Sequence, residues 1–344
     1  MTPSRITRIA VPTPFRVGPV NAYLIEGDPL TLVDTGPNWD TSLEALERDV
    51  KGLGYPLSAI EQVVLTHQHF DHVGLAAQIR LRSGAKVVAV AQLARFLTDY
   101  PNSIEQEDIY AESVMRRYST PVDQIKAVRD ISRSLWRFSE RVDVDVTLRE
   151  GELVSLGGRD FRVLARPGHS PTDTIFVDEH AGVALVGDHL LPAISSNPVL
   201  HRPADSGDPE RRIPTLARYL ESLRETDALE LDSILPGHGA PTSAPRELIH
   251  KRIREHEERK ELIFGLLADR RLPAHELAEL LWGEVESSQI YLAVSEIVGH
   301  TDLLIAEGRV REFRLADGTR VFEQAAPHAS APLVKAAGHD GQGS

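Results

Sequence analysis

Apolar residues near the amino terminus gather in short runs closed by turn residues, at 6–11, 21–27 and 30–33, and predict strands that open a sheet. Helical spacing follows at 42–51, and then a strand-like run at 63–66 leads into a helical pattern at 72–80 and another strand at 86–90. Strands alternating with helices predict an α/β architecture. From about residue 152 the strands resume at 153–156, 161–164 and 174–177, with further apolar runs at 184–186 and 234–235. Beyond Pro245 the pattern changes. A long charged helix over 247–268 breaks at Arg271-Leu272-Pro273, helices over 274–281 and 289–307 follow, and a hairpin of 310–314 with 320–322 turns at Asp317-Gly318.

Composition narrows the chemistry. A chain of 344 residues suffices for one large domain, with or without a small accessory one. Cysteine is absent, which removes disulfides, thiolate nucleophiles and thiolate metal ligands, so any metal chemistry runs through His and Asp. A net charge of −13 opposes the binding of phosphate backbones, which relies on clustered Lys and Arg, and nucleic acid is not an expected partner. The first ten residues lack the apolar core of an export signal, and no run of about 18 apolar residues is present to span a bilayer. The cytoplasm is the expected compartment and no membrane partner is expected.

Residues 66–72 read Thr-His-Gln-His-Phe-Asp-His at the predicted strand-to-helix corner. In extended chain His67 and His69 project to the same side, and Asp71 and His72, entering the helix, turn toward a neighbouring point. Two adjacent metal ions fit that arrangement. Three more histidines stand in turn contexts: His169 in Pro167-Gly168-His169, His189 in Gly187-Asp188-His189, and His238 in Pro236-Gly237-His238-Gly239. Asp188 and His238 follow apolar runs directly. His180 falls in a hairpin turn, His201 reads as solvated, and His250, His256, His275, His300, His328 and His339 lack such a context and are not assigned.

This set resembles the metallo-β-lactamase superfamily over about residues 15–245, in the dinuclear branch of glyoxalase II and ribonuclease Z. The resemblance implies an αββα sandwich with the metals at one edge. It implies that His67, His69 and His169 hold one ion, that Asp71, His72 and His238 hold the other, and that Asp188 bridges them. Two Zn2+ ions per chain are expected, with Fe or Mn as alternatives. Zinc suits imidazole and carboxylate donors and lowers the pKa of its water to about 7. Asp188 would fix the spacing of the ions, and Asp71 would orient the hydroxide and pass a proton to the leaving group, so these two are the expected catalytic residues. Asp34, in Leu32-Val33-Asp34-Thr35-Gly36, resembles the family aspartate that supports the histidine loop from behind.

The expected domains are a metallo-β-lactamase domain over 1–244, a winged-helix-like domain over 245–324 and a disordered tail over 325–344. Within the first, 91–141 departs from a minimal version of the fold. It reads as a helical cap whose Tyr100, Tyr110, Tyr118, Trp136 and Phe138 shape an apolar substrate pocket, with Pro101 and Pro121 marking breaks between its helices. In the second, acidic residues outnumber basic ones, so packing or homodimer formation is expected over nucleic-acid binding. The expected reaction is hydrolysis of a small ester-like molecule, a thioester, lactone or carboxylic ester. The alternatives are phosphodiester cleavage by a lactamase-beta-like endoribonuclease and an iron-dependent oxidation like that of persulfide dioxygenases.

Overall fold

A computed structural model of the chain describes residues 4–203 and 210–326. The expected disorder of 325–344, with His328 and His339, falls almost wholly outside the described residues. Two sheets face each other. The first runs β1 (Ile6–Val11), β2 (Val20–Ile25), β3 (Thr31–Val33), β4 (Gln62–Val64), β5 (Lys86–Val90) and β6 (Val146–Leu148) in spatial order. The second holds β7 (Leu153–Leu156), β8 (Arg159–Ala165), β9 (Thr174–Asp178), β10 (Val183–Gly187) and β11 (Ser233–Pro236), in the order β11-β10-β9-β8-β7. Strands β3 to β6 run parallel, as do β10 and β11, and the remaining pairs are antiparallel.

Both faces of the first sheet are covered, which is why its strands read as continuous apolar runs. Alternation still sorts their side chains. Val63, Val87 and Ala89 point to an outer core, while Val64 and Val88 join Tyr23, Ile25, Phe161, Val163 and Phe176 between the sheets. Helices α1 (Asp40–Gly52), α2 (Phe70–Val73), α3 (Ala76–Ser83) and α4 (Ala91–Thr98) lie on the first sheet's side. The expected helix over 72–80 is two helices hinged at Gly74, where a Cβ would sit 2.3 Å from the Phe138 carbonyl oxygen. The insertion continues as α5 (Tyr100–Arg117) and α6 (Val122–Leu135), with Pro101 in the first turn of one and Pro121 capping the other, as expected.

The outer face of the second sheet is closed by α7 (Thr215–Asp227) and α8 (Pro245–Leu266), completing the αββα order. The sequence reading missed β6 and α7. The signal for α7 was present, because Leu216, Tyr219, Leu220 and Leu223 fall at helical spacing and are buried. After α8 come β12 (Arg271–Leu272), α9 (Ala274–Trp282), α10 (Ile290–Ala306), β13 (Val310–Arg314) and β14 (Arg320–Gln324), with the strands ordered β12-β14-β13.

One expectation needs correction here. Tyr110 and Tyr118 pack with Ile263, Leu277, Val294 and Phe322 in one apolar interior, so the insertion joins the C-terminal helices instead of lining a pocket with these tyrosines. Tyr118 stacks on Phe322 at 5.5 Å, and its hydroxyl donates to Glu312. Helix α8 keeps part of its charge inside. Arg252, His256 and Lys260, spaced by four, form a buried polar stripe. Among the described residues no helix is long and apolar enough to cross a membrane.

Candidate metal centre

The loops carrying the chemistry leave the carboxyl ends of β3, β4, β8, β10 and β11, which point to one edge of the sandwich. Backbone bonds stitch the two sheets together there. Thr174 N–H donates to Thr66 O at 3.1 Å and Asn21 N–H to Gly237 O at 2.7 Å. The side chains of Asn21 and Tyr23 both donate to Pro236 O, at 2.8 and 2.7 Å.

All seven residues singled out in the sequence converge at that edge. His67 Nε2 lies 3.1 Å and His169 Nε2 3.0 Å from His69 Nδ1. His72 Nε2 is 3.3 Å from Asp188 Oδ1, and His238 Nε2 is 3.3 Å from Asp71 Oδ2. The other oxygen of Asp188 lies 3.6 Å from His238 and 3.7 Å from His169. Within 4.8 Å the donors fall into three overlapping sets: His67, His69 and His169; His67, His72 and Asp188; Asp71, His72 and His238.

The outward nitrogens fix which inward nitrogens carry lone pairs. His72 Nδ1 is 2.8 Å from Asp34 Oδ2, so it is the protonated atom. Thr66 donates its hydroxyl to Asp34 Oδ2 at 2.8 Å and therefore accepts from His67 Nδ1 at 3.0 Å. His238 Nδ1 donates to Pro19 O at 2.9 Å. These contacts leave the Nε2 atoms of His67, His72 and His238 facing inward as acceptors, the tautomers that ligation requires. Asp34 reaches His72 directly and His67 through Thr66 from a left-handed backbone, φ 57°, which an aspartate tolerates better than most residues.

Among the described residues no hydrogen-bond partner serves His72 Nε2, Asp188 Oδ1 or His238 Nε2, although all three atoms are buried. Unpartnered polar atoms in a dry site are costly, and a shared cation would satisfy all three. Burial and the neighbouring imidazoles push His67 well below its ordinary pKa, and burial with His169 pushes His69 down to about 3. Burial opposes the charged form of His72, but Asp188, Asp34 and Asp71 together hold its pKa well above the usual value, so this spot favours positive charge and a cation would take the place of a proton on Nε2. Against the same burial cost, His72 and His238 keep the Asp188 carboxyl ionised. The donor set thus offers neutral imidazoles on one side and a carboxylate-rich half on the other.

Close packing leaves little play. At Gly237 a Cβ would lie 2.2 Å from Asp188 Oδ1 and 2.6 Å from His72 Cε1, and at Gly168 one would strike Tyr219. His189, next to Asp188, turns away and bonds Thr226 Oγ1 at 2.9 Å. His180 is exposed in the β9–β10 turn, as expected. His201 is corrected: it is buried, with Nε2 3.4 Å from His169 O and Nδ1 3.7 Å from Glu107 of α5. The sequence reading also missed Asp173, which accepts from Ser170 N–H at 2.8 Å and Ser170 Oγ at 2.7 Å and so shapes the turn bearing His169. Its signal was the Ser170-Pro171-Thr172-Asp173 spacing, which is that of a side-chain-closed turn. His69 and His169 are the partly exposed members, so the site opens on their side.

Two packed sheets between helical layers, with a His and Asp cluster at the strand ends, define an αββα protein of metallo-hydrolase type. The model of the metallo-beta-lactamase superfamily matches residues 15–275, and the chain belongs to that superfamily. It is 33% identical to the Bacillus subtilis protein named probable metallo-hydrolase YqjP, over 91% of this chain and 96% of that one. The hydroxyacylglutathione hydrolase GloC of Haemophilus influenzae is 27% identical over 55% of this chain and 73% of its own. Among solved structures, a metallo-beta-lactamase family protein from Thermus thermophilus superposes with a TM-score of 0.77 at 26% identity, covering 93% of this chain and 98% of that one.

Proposed function

We propose that the cluster holds two divalent cations and that the protein hydrolyses a small ester-like substrate, a thioester, lactone or carboxylic ester. The reading is carried by the fixed tautomers around three unpartnered, buried donor atoms. His67, His69 and His169 make one donor set and Asp71, His72 and His238 the other, with Asp188 presenting one oxygen to His72 and the other to His169 and His238. Zinc is the first choice for nitrogen and carboxylate donors, with iron or manganese as alternatives. Such ions, when bound, bring the pKa of water toward about 7 and polarise a carbonyl oxygen.

The remaining work falls to the chain. Asp71 is placed to take a proton from the attacking water and return it to the leaving group. Asp34 and Thr66 hold the imidazoles in register. Phe70, in the motif, packs edge-on with Phe15 at 4.9 Å, and Phe15 with the buried Phe138 at 5.0 Å, contacts that seat the motif's helix against the 91–141 insertion. Ser196 donates to the Asp188 backbone carbonyl and holds the 190–198 loop against the site. The likeness to a hydroxyacylglutathione hydrolase favours acyl cleavage over phosphodiester cleavage. Helix, strand and sheet order from α8 to β14 support a winged-helix-like C-terminal unit, and its acidic balance favours packing or a homodimer contact.

The test is a panel of thioester, lactone, carboxylic ester, β-lactam and phosphodiester reporters, with metal content measured in parallel. Acyl reporters should turn over, and chelation should abolish it. Turnover of the phosphodiester alone would overturn the substrate class, and Asp188→Ala retaining both metal and activity would remove that residue from the bridge.

A further inference from the structure

A second group of donors lies away from the site already described, where α8 crosses α10. His256 of α8 and His300 of α10 face each other, with Nδ1 of the first 3.4 Å from Nε2 of the second, and Glu296 stands one turn before His300. The donor atoms of all three fall within 4.8 Å of one another. His256 is 3% and His300 0% exposed.

The tautomers again narrow the choice. His300 Nδ1 donates to Glu296 O at 2.7 Å, so its Nε2 bears a lone pair directed at His256. On the far side of the His256 ring, Nε2 is buried without a partner among the described residues. A proton on Nδ1 strands an acceptor at Nε2, whereas a proton on Nε2 sets two lone pairs face to face, and it is this second arrangement that a cation between the rings would satisfy, with the Nε2 proton still unmatched. The 3.4 Å separation is also long for a hydrogen bond between imidazoles. It matches the spacing of two nitrogens on one tetrahedral ion, about 3.3–3.4 Å for bonds of about 2.0–2.1 Å.

We propose that His256, His300 and Glu296 form a further metal site, for a borderline divalent ion such as Zn2+, with water as the fourth ligand. The two nitrogens and one carboxylate oxygen are the donor set such ions take in a chain without cysteine. Burial holds His256 at about 4 and His300 at about 3, so both imidazoles are neutral and available at ordinary pH. The competing cation is Arg259, which contacts Glu296 Oε1 from a side chain about one-third exposed. It sits on the open side, through which an ion would enter, and its flexible stem lets it share or release the carboxylate.

Such an ion would clamp α8 to α10 behind the main cluster. The ring of His256 packs edge-on against Tyr219 at 5.8 Å, and the Tyr219 hydroxyl donates to His189 O at 3.1 Å, next to Asp188. One turn before His256, Arg252 donates to the carbonyls of Leu191, Pro192 and Ile194 in the loop after Asp188. The site therefore sits where it would steady the wall of the main centre without touching substrate.

The test uses the full chain carrying His67→Ala and His72→Ala, which disable the main centre, titrated with Co2+ while absorption and bound metal are recorded. Adding His300→Gln to that chain should remove one equivalent of Co2+ and the visible bands of a tetrahedral nitrogen and oxygen site, and should abolish the rise in Tm that Co2+ gives its parent. In the otherwise unaltered chain the same substitution should also lower bound metal by one equivalent. Equal Co2+ uptake with and without His300, in chains that melt cooperatively, would overturn the proposal. Should the His300 variant not fold, Glu296→Gln serves in its place. Arg259→Gln should tighten Co2+ binding at this site, and a weaker affinity would count against the assignment.

Discussion

His72 Nδ1 and Asp34 Oδ2 lie 2.8 Å apart in a region closed to solvent, and this contact joins the strand end after β3 to the histidine motif after β4. The same carboxylate takes the Thr66 backbone N–H at 2.9 Å and, through the Thr66 hydroxyl, steadies His67. One buried side chain thus fixes imidazoles in both donor sets.

Asp34→Asn keeps the shape and loses an acceptor. Its amide nitrogen must face a donor among Thr66 N–H, Thr66 Oγ and His72 Nδ1, so metal affinity should drop about 10–100-fold. Dialysis against graded chelator with metal analysis measures this, and wild-type retention would show that the contact does not govern ligation.

Gly237→Ala places a methyl carbon on the Asp188 carboxylate and His72 ring. Both belong to the proposed ligand set, so the variant should fold, lose most of its metal and lose turnover by at least about 100-fold, some 2.7 kcal/mol. Full metal content in a folded Ala variant would mean the cluster has more room than its packing implies.

His201→Ala should leave metal content intact. Because His201 abuts the His169 backbone and faces Glu107 on the open side, KM should rise, by about tenfold, with kcat changing less. A loss confined to kcat would instead place His201 in the chemical step.

Acid should destabilise the chain through its buried histidines. Burial, helped by Arg166 and His169, lowers the pKa of His189 from 6.5 to about 3. Unfolded chain takes up this proton below about pH 6.5 while folded chain refuses it until about pH 3, so the contribution is whole above 6.5 and shrinks as pH falls through that window. The slope is about 1.4 kcal/mol per pH unit for one such group. His189→Gln should flatten the acid limb of a Tm against pH curve, and an unaltered limb in the folded variant would exclude this origin.

Tyr118→Phe keeps the stack on Phe322 but takes one hydrogen bond from Glu312, 2.6 Å from the lost hydroxyl, and one from Arg212, 2.7 Å away, while their pairing with each other, with Arg320 and with Asp302 stays. Denaturant titration should show a loss of about 1–3 kcal/mol. A neutral result would mean that solvent replaces the hydroxyl.

The sequence revealed the candidate site far more fully than its surroundings. Four of the seven residues fall within the six positions 67–72, and the others follow strands or sharp turns whose signals are local. Asp34 was legible for the same reason. His201 was not, because its burial depends on Glu107 from a helix nearly a hundred residues away. The burial of Arg252, His256 and Lys260 was not legible in the charged helix, since a period of four on a polar helix face does not reveal what will pack there. The fold followed from strand and helix periodicity except at α7, whose amphipathic pattern was overlooked, and β6, which is three residues long. The packing of Tyr110 and Tyr118 was not legible because their neighbours lie more than 140 residues downstream.

That shared interior has an evolutionary reading. Neither the 91–141 insertion nor the C-terminal helices can be deleted alone without wetting the other's apolar face, so relatives should keep or discard the pair together. A chimera exchanging one without its counterpart would gather into aggregates before any question of catalysis arose.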